Sequence, residues 1–204
     1  KQSKLKRFND LIKNKNFINL LVSNVSSIFE LTKKKKSNSI ILNYDERSQD
    51  LFYWYQQLVS ESLGKKGKGI LPIISSMPKD NHSLMQLFLD GKNNNFFTFF
   101  FVNDSCTNKI NNSKLLKSHN YLKNKNFKDI VESQLRATEN VFKKKNIPFR
   151  SFKINVRNEE TLGELFTFFI LETILLGKAF NVNPYDQPAV ELIKMDTKKN
   201  LINY

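Results

Sequence analysis

"SIILNYDERSQDLFYWYQQLVSESLG", residues 39–64, decides the fold. Its first six residues, Ser39–Tyr44, form a β-branched apolar burst too short for a helix. "DERS" follows, with Asp45 or Ser48 placed to cap a helix, and the apolar positions then take the helical period from about Gln49 to Leu63. The same alternation recurs downstream. "GILPIIS" (69–75) precedes "NHSLMQLFLDG" (81–91), and "NFFTFFFV" (95–102) precedes a polar loop and a helix from Phe127 to Lys145. "FRSFKINV" (149–156) precedes a helix from Thr161 to Phe180. Strands that are near-continuously apolar rather than alternating, separated by helices, predict a mostly parallel sheet covered on both faces: a three-layer, doubly wound α/β domain. Such sheets bind ligands at the carboxyl ends of their strands.

Upstream, Leu5–Asn14 and Phe17–Lys33 read as two amphipathic helices. The expected organisation is a helical segment over 1–38, linking to a missing upstream domain, and the α/β domain over 39–204 with a C-terminal helix. A chain of 204 residues that opens at Lys1 and runs straight into a helical pattern reads as the C-terminal piece of something longer. The polar excursion Cys106–Asn126 is expected to be mobile.

The formal charge of +14 raises the question of a nucleic-acid partner. Only five of the 33 basic residues are arginine, the residue suited to bidentate phosphate and base recognition, and the lysines are spread along the chain with Asn, Ile and Phe. No nucleic acid is expected. No apolar run reaches the ~20 residues needed to span a bilayer, so no membrane partner is expected either. Cys106 is the single cysteine, which excludes an internal disulfide and fits a reducing, cytoplasmic setting. No GxGxxG or Walker loop is present, and no cofactor or metal is called for.

Three stretches can carry chemistry. On the helix ending near Gly64, Glu61 lies 20° from Trp54 at 100° per residue and shares an inward stripe with Trp54 and Leu58. It stands in the last turn, at the negative end of the helix dipole, which suits a proton acceptor; the alternative is a glutamate snorkelling at the helix edge. In "SMPKDNHSLMQLFLDG", Asp80 or Asn81 is placed to cap a helix whose first turn holds His82. That imidazole either exchanges protons or bonds to a loop carbonyl. His119, in the polar excursion, reads as solvated. In "NVNPYDQPAVELIK", Pro188 suits a helix start, and Gln187 and Lys194, seven apart, project from one face; Glu191–Lys194 is otherwise an ordinary helix pair. Glu172, a lone acid in an apolar helix, is expected to be a buried hydrogen-bonding group.

Taken in order, "YWYQQLVSESLGKKGKGILPI", "KDNHSLMQLFLDG" and "NVNPYDQPAVELIK" closely resemble the C-terminal half of the glucose-6-phosphate isomerase family, particularly its shorter bacterial forms, from about Ser39 to Lys194. The last stretch is similar to the family signature of an aromatic residue followed by Asp-Gln-x-Gly-Val-Glu-x-x-Lys, with Ala189 in place of the glycine. The resemblance implies a sugar-isomerase (SIS) domain and interconversion of glucose 6-phosphate and fructose 6-phosphate, in glycolysis and gluconeogenesis, through a cis-enediol. It implies that Glu61 is the catalytic base, that His82 opens the sugar ring from the neighbouring subunit of a homodimer, that Lys194 assists ring opening, and that Gln187 lines the pocket. It requires no cofactor, because the proton returns to the adjacent carbon of the same substrate. The family's phosphate-holding turns and its Gly-Gly-Arg segment have no counterpart upstream of Glu61, so this chain alone is expected to show little turnover. The alternative is a non-catalytic SIS module that binds a phosphosugar and regulates a partner; such a module needs no proton-transfer set.

Overall fold

A computed structural model of the chain describes residues 10–103 and 109–202. Of the stretch read as a helix over Leu5–Asn14, residues 5–9 lie outside those described, as does Cys106. The first full element is helix α1 (Lys15–Lys33), opened by Asn14, whose side chain accepts from the amides of Asn16 and Phe17. Four strands follow, β1 (Asn38–Asn43), β2 (Leu71–Ser76), β3 (Asn95–Val102) and β4 (Phe149–Ile154). They pair in the order β2-β1-β3-β4, and all three ladders are parallel, so the sheet is wholly rather than mostly parallel.

The crossovers are α2 (Gln49–Leu63) between β1 and β2, α3 (Asp80–Ser83) with α4 (Met85–Asp90) between β2 and β3, and α5 (Phe127–Lys144) between β3 and β4. After β4 come α6 (Glu159–Phe180) and α7 (Pro188–Ile202). Alternate side chains of each strand leave the sheet on opposite faces. From β1 and β3, Ile41, Phe96 and Phe100 enter a core with α1, α2 and α6. Ile40, Leu42, Phe97, Phe99 and Phe101 enter a second core with Met85, Phe88, Leu135 and Phe142. Both faces of the central strands β1 and β3 are therefore buried, which is why they read as near-continuous apolar runs.

Helix α1 is part of the first core: Leu21 and Ile28 are buried in it, and Phe17 meets Phe168 of α6 edge-on at 6.1 Å. Beneath α1, Glu172 is 1% exposed and bridges Arg150 of β4 with both carboxylate oxygens, the Nη2–Oε2 distance being 3.1 Å. Arg150 also donates to Thr98 Oγ1 at 3.0 Å and to Asn24 Oδ1 at 3.2 Å. The acid expected to be buried and hydrogen-bonded is so, and a buried carboxylate requires such partners.

Two sequence expectations need correction. The helix read over 81–91 is two pieces, because Leu84 takes φ −121° and breaks the ladder between α3 and α4. The polar excursion is folded where it is described. Lys109 pairs with Asn126 as an antiparallel bridge, Asn112 and Asn124 exchange hydrogen bonds, and two 3₁₀ turns (Asn112–Lys114 and Lys117–Leu122) lie between. Asn and Lys make this stretch polar without making it structureless; Asn126 and Asp129 close it with a reciprocal capping box on α5.

Candidate active site

Helix α2 runs antiparallel to the strands, so its last turn lies at the amino edge of the sheet, where β2 begins. Helix α6, following β4, ends on the same edge. The loop between α6 and α7 therefore meets the end of α2, and this juxtaposition builds the candidate site. It is a cleft of about 330 Å³ whose lining includes Glu61, Gly64, Lys65, Asn183, Asp186 and Gln187. That volume lies at the low end of the ~300–1,000 Å³ typical of small-molecule sites.

Glu61 is half-buried at the rim of this cleft. Its Oε1 accepts from Gln57 Nε2 at 2.9 Å and its Oε2 from Gln187 Nε2 at 2.5 Å. Each oxygen is thus fixed by one amide, and a carboxylate has lone pairs left to take a proton. The inward stripe expected for Glu61 is displaced. Helix α2 buries Phe52, Tyr55, Val59, Ser62 and Leu63, while Trp54 and Leu58 lie on the flank and are half-buried. Trp54 packs edge-on against Phe166 at 4.5 Å, and Glu61 shares that flank rather than the core.

Gly64 ends α2 as read from the sequence. The chain then doubles back so closely that a Cβ on Gly69, at φ +135°, would stand 3.0 Å from Gly64 Cα. Only glycine fits there, and this return fixes where α2 stops relative to β2. Lys65 reaches the opposite loop. Its ammonium lies 2.9 Å from Asp186 Oδ1 and also donates to the Asn183 carbonyl. Hydrogen-bonded to that ammonium, the Asp186 carboxyl is held below its ordinary range. Asn183 Nδ2 donates to Asp186 Oδ2 at 3.0 Å, tightening the turn that presents Gln187.

The other two named residues lie elsewhere. Lys194 is exposed on α7 and pairs with Glu191 Oε1 at 2.7 Å, the ordinary helix pair the spacing allowed. At ~1.5 Å rise per residue it stands about 10 Å along the helix from Gln187. His82 is exposed in α3, beyond the carboxyl end of β2, so β2 separates it from Glu61 within one chain. The helix expected to hold His82 in its first turn is only the four residues of α3. Asp80 caps no helix; its carboxylate accepts from Ser76 N at 2.8 Å, Ser75 Oγ at 3.0 Å and Ser83 Oγ at 3.1 Å, tying the loop to the end of β2. His119 lies in the folded excursion, exposed, with Tyr121 at 6.1 Å.

The carboxyl edge, where the fold class led us to look for a ligand, does carry a cavity of about 620 Å³ between Arg47, Phe100, Val102, Arg157 and Leu165. None of the named site residues lines it. Sequence reasoning missed Gln57, Lys65 and Asp186. Gln57 was findable, one turn before Glu61 at i−4; nothing in "GKKGKG" separates Lys65 from its neighbours. Among the described residues no group of three His, Cys, Asp or Glu side chains could hold a metal ion, and no helix is long and apolar enough to cross a membrane.

An all-parallel sheet wrapped by helices on both faces is an α/β fold. The chain superposes on a hypothetical protein of Thermus thermophilus with a TM-score of 0.86 at 23% identity, covering 96% of this chain and 48% of that one. On a glucose-6-phosphate isomerase of Chlamydia trachomatis the TM-score is 0.67 at 15% identity, over 81% of this chain and 34% of that one. In sequence it is 33% identical over 184 residues to a probable glucose-6-phosphate isomerase of Methanococcus maripaludis, covering 89% of this chain and 40% of that protein. It is 32% identical over 199 residues to the glucose-6-phosphate isomerase of Mycoplasmopsis pulmonis, covering 96% and 47%. Along most of its length the chain therefore matches part of glucose-6-phosphate isomerase, and it spans less than half the length of these curated relatives. No protein-family model matches it.

Proposed function

We propose that the chain carries the acid–base groups of an aldose–ketose isomerase that interconverts glucose 6-phosphate and fructose 6-phosphate. The observation that carries this reading is the convergence of Glu61 and Gln187, 126 residues apart, at 2.5 Å across one small cleft. In the proposed reaction Glu61 takes the proton from the carbon next to the carbonyl and returns it to the neighbouring carbon through a cis-enediol. A proton in that position is weakly acidic, so the base must be fixed in place before substrate arrives, and two amides already hold Glu61. Gln187 is a donor beside the developing enediolate, where a preorganised N–H is most effective.

Lys194 and His82 are assigned to ring opening. Lys194 must break its exposed pair with Glu191 to serve, a pair of the kind worth ~0.3–0.5 kcal/mol. His82 serves a site on another copy, which makes the active form a homodimer. The protein works in the cytoplasm, over residues 39–204 as one catalytic SIS unit, and the phosphate of the sugar is held by segments outside this chain. A non-catalytic phosphosugar-binding module is the second reading, favoured by Lys194 being engaged with Glu191 rather than with the cleft.

The deciding experiment is a coupled isomerase assay on this chain supplied with the phosphate-holding segments, and on the same protein carrying Glu61→Gln. Turnover is expected to fall by ~10²–10⁴, the usual contribution of a positioned general base, with phosphosugar binding retained. Turnover within a few-fold of the parent removes Glu61 from the mechanism. Phosphosugar binding with no turnover in the parent supports the binding module instead.

A further inference from the structure

Three lysines crowd the return loop after α2, and the structure gives them different tasks. Lys66 sits at φ 54° and is exposed. Lys68 donates to the carbonyl of Phe180, the last residue of α6, at 2.7 Å. Lys65 is the covered one: its side chain is only 10% exposed, and its ammonium is held between the Asn183 carbonyl and the Asp186 carboxylate. An ammonium withdrawn from water to this degree needs such oxygens around it.

The segment so held has few other anchors. Helix α7, which follows it, buries no residue. Upstream, Pro184 rests against Gly177 of α6, close enough that a Cβ on that glycine would lie 3.1 Å from Pro184 Cβ. Between that contact and the free helix stand Tyr185, Asp186 and Gln187. Lys65 is the side chain of α2's return loop that grips this stretch, and the grip falls on the residue next to Gln187.

We propose that Lys65 is a positioning residue for the acid–base centre: by clamping Asn183 and Asp186 it fixes the turn that keeps the Gln187 amide on Glu61. Its importance for catalysis rests on the reading of Glu61 as the proton carrier; the clamp itself does not. Gln57 reaches Glu61 from within α2 and is independent of the clamp, so it serves as an internal reference.

The test follows the side-chain amide signals of Gln57 and Gln187 by ¹⁵N NMR in the whole chain across the carboxylate pH range. An amide bonded to a carboxylate shifts when that carboxylate protonates. In the parent both signals are expected to move together with Glu61, and both movements should vanish in Glu61→Gln. In Lys65→Met the Gln187 response should fall severalfold while that of Gln57 persists. Asp186→Asn removes one partner of the clamp with little change of shape and should produce the same selective loss; it decides the matter if Lys65→Met does not fold. An undiminished Gln187 response in the folded variants, or no response to Glu61 in the parent, overturns the proposal. If the isomerase reading fails, turnover is insensitive to Glu61 yet the NMR pattern stands; if the clamp fails, the reverse holds.

Discussion

Removing the carboxylate of Glu172 by Glu172→Leu leaves the Arg150 guanidinium in place with its principal counter-charge gone. The pair is nearly dry: the acid is 1% exposed and the arginine side chain 15%. Thr98 and Asn24 supply neutral acceptors only. Burial opposes the cation, but arginine's intrinsic basicity is too high for the guanidinium to escape by releasing its proton once Glu172 is gone. Stranding a buried charge in this way costs ~3–5 kcal/mol. For a domain of about this size each kcal/mol lowers Tm by ~2–4 °C, so a fall of roughly 10 °C is expected. Urea unfolding followed through Trp54, the single tryptophan, measures the loss directly. The double variant Arg150→Met/Glu172→Leu removes both charges and should regain most of the stability, because well-packed apolar replacements for a buried pair are often neutral. A loss below ~1 kcal/mol in the single variant, the range of ordinary surface changes, would refute the account of a desolvated pair holding α6 to β4.

Further outcomes are expected. Burial, reinforced by the Glu172 charge, pushes the Tyr55 phenol up to about 12 from an ordinary value of 10.0. Its folded pKa is the higher one, so its contribution is complete below pH 10 and is lost as pH rises towards 12. Alkaline urea titrations should show up to ~2–3 kcal/mol disappearing in that window, at 1.36 kcal/mol per pKa unit, and Tyr55→Phe should flatten it. Gly69→Ala, at φ +135° against Gly64, is expected to destabilise by ~1–3 kcal/mol, whereas Gly163→Ala, inside α6 with open space around the new methyl, should stabilise by ~0.5–1 kcal/mol; thermal melts of the two should move in opposite directions. Lys194→Met breaks only an exposed pair, so its unfolding curve should stay within ~0.5 kcal/mol of the parent, and any fall in turnover then reports chemistry rather than folding.

The fold was legible because its signal is burial. Phe96–Val102 is apolar at every position but Thr98 because both faces of β3 are covered, and no amphipathic helix needs that pattern. Glu172 was legible for the same reason, as an acid among apolar neighbours. The site was less so. Counting 100° per residue gave the correct side-by-side placement of Trp54, Leu58 and Glu61 but not which flank of α2 meets the core, since that depends on where α6 lies. The broken helix after Pro78 turned on one backbone angle at Leu84, and the task of Lys65 on a loop more than a hundred positions away; neither leaves a local trace. Gln187 and Glu61 meet across one cleft, while Lys194 and His82 stand apart in the single chain.

Strand β2 places Glu61 and His82 on opposite margins of the sheet, and its six residues, at ~3.3 Å each, span about 20 Å. No single copy can bring both side chains to one hexose. Under the proposed mechanism each reaction centre is therefore a composite, and two differently crippled chains can complement one another. Glu61→Gln and His82→Ala proteins, each inert alone, would on mixing form hybrids in which one centre carries both defects and the other carries neither.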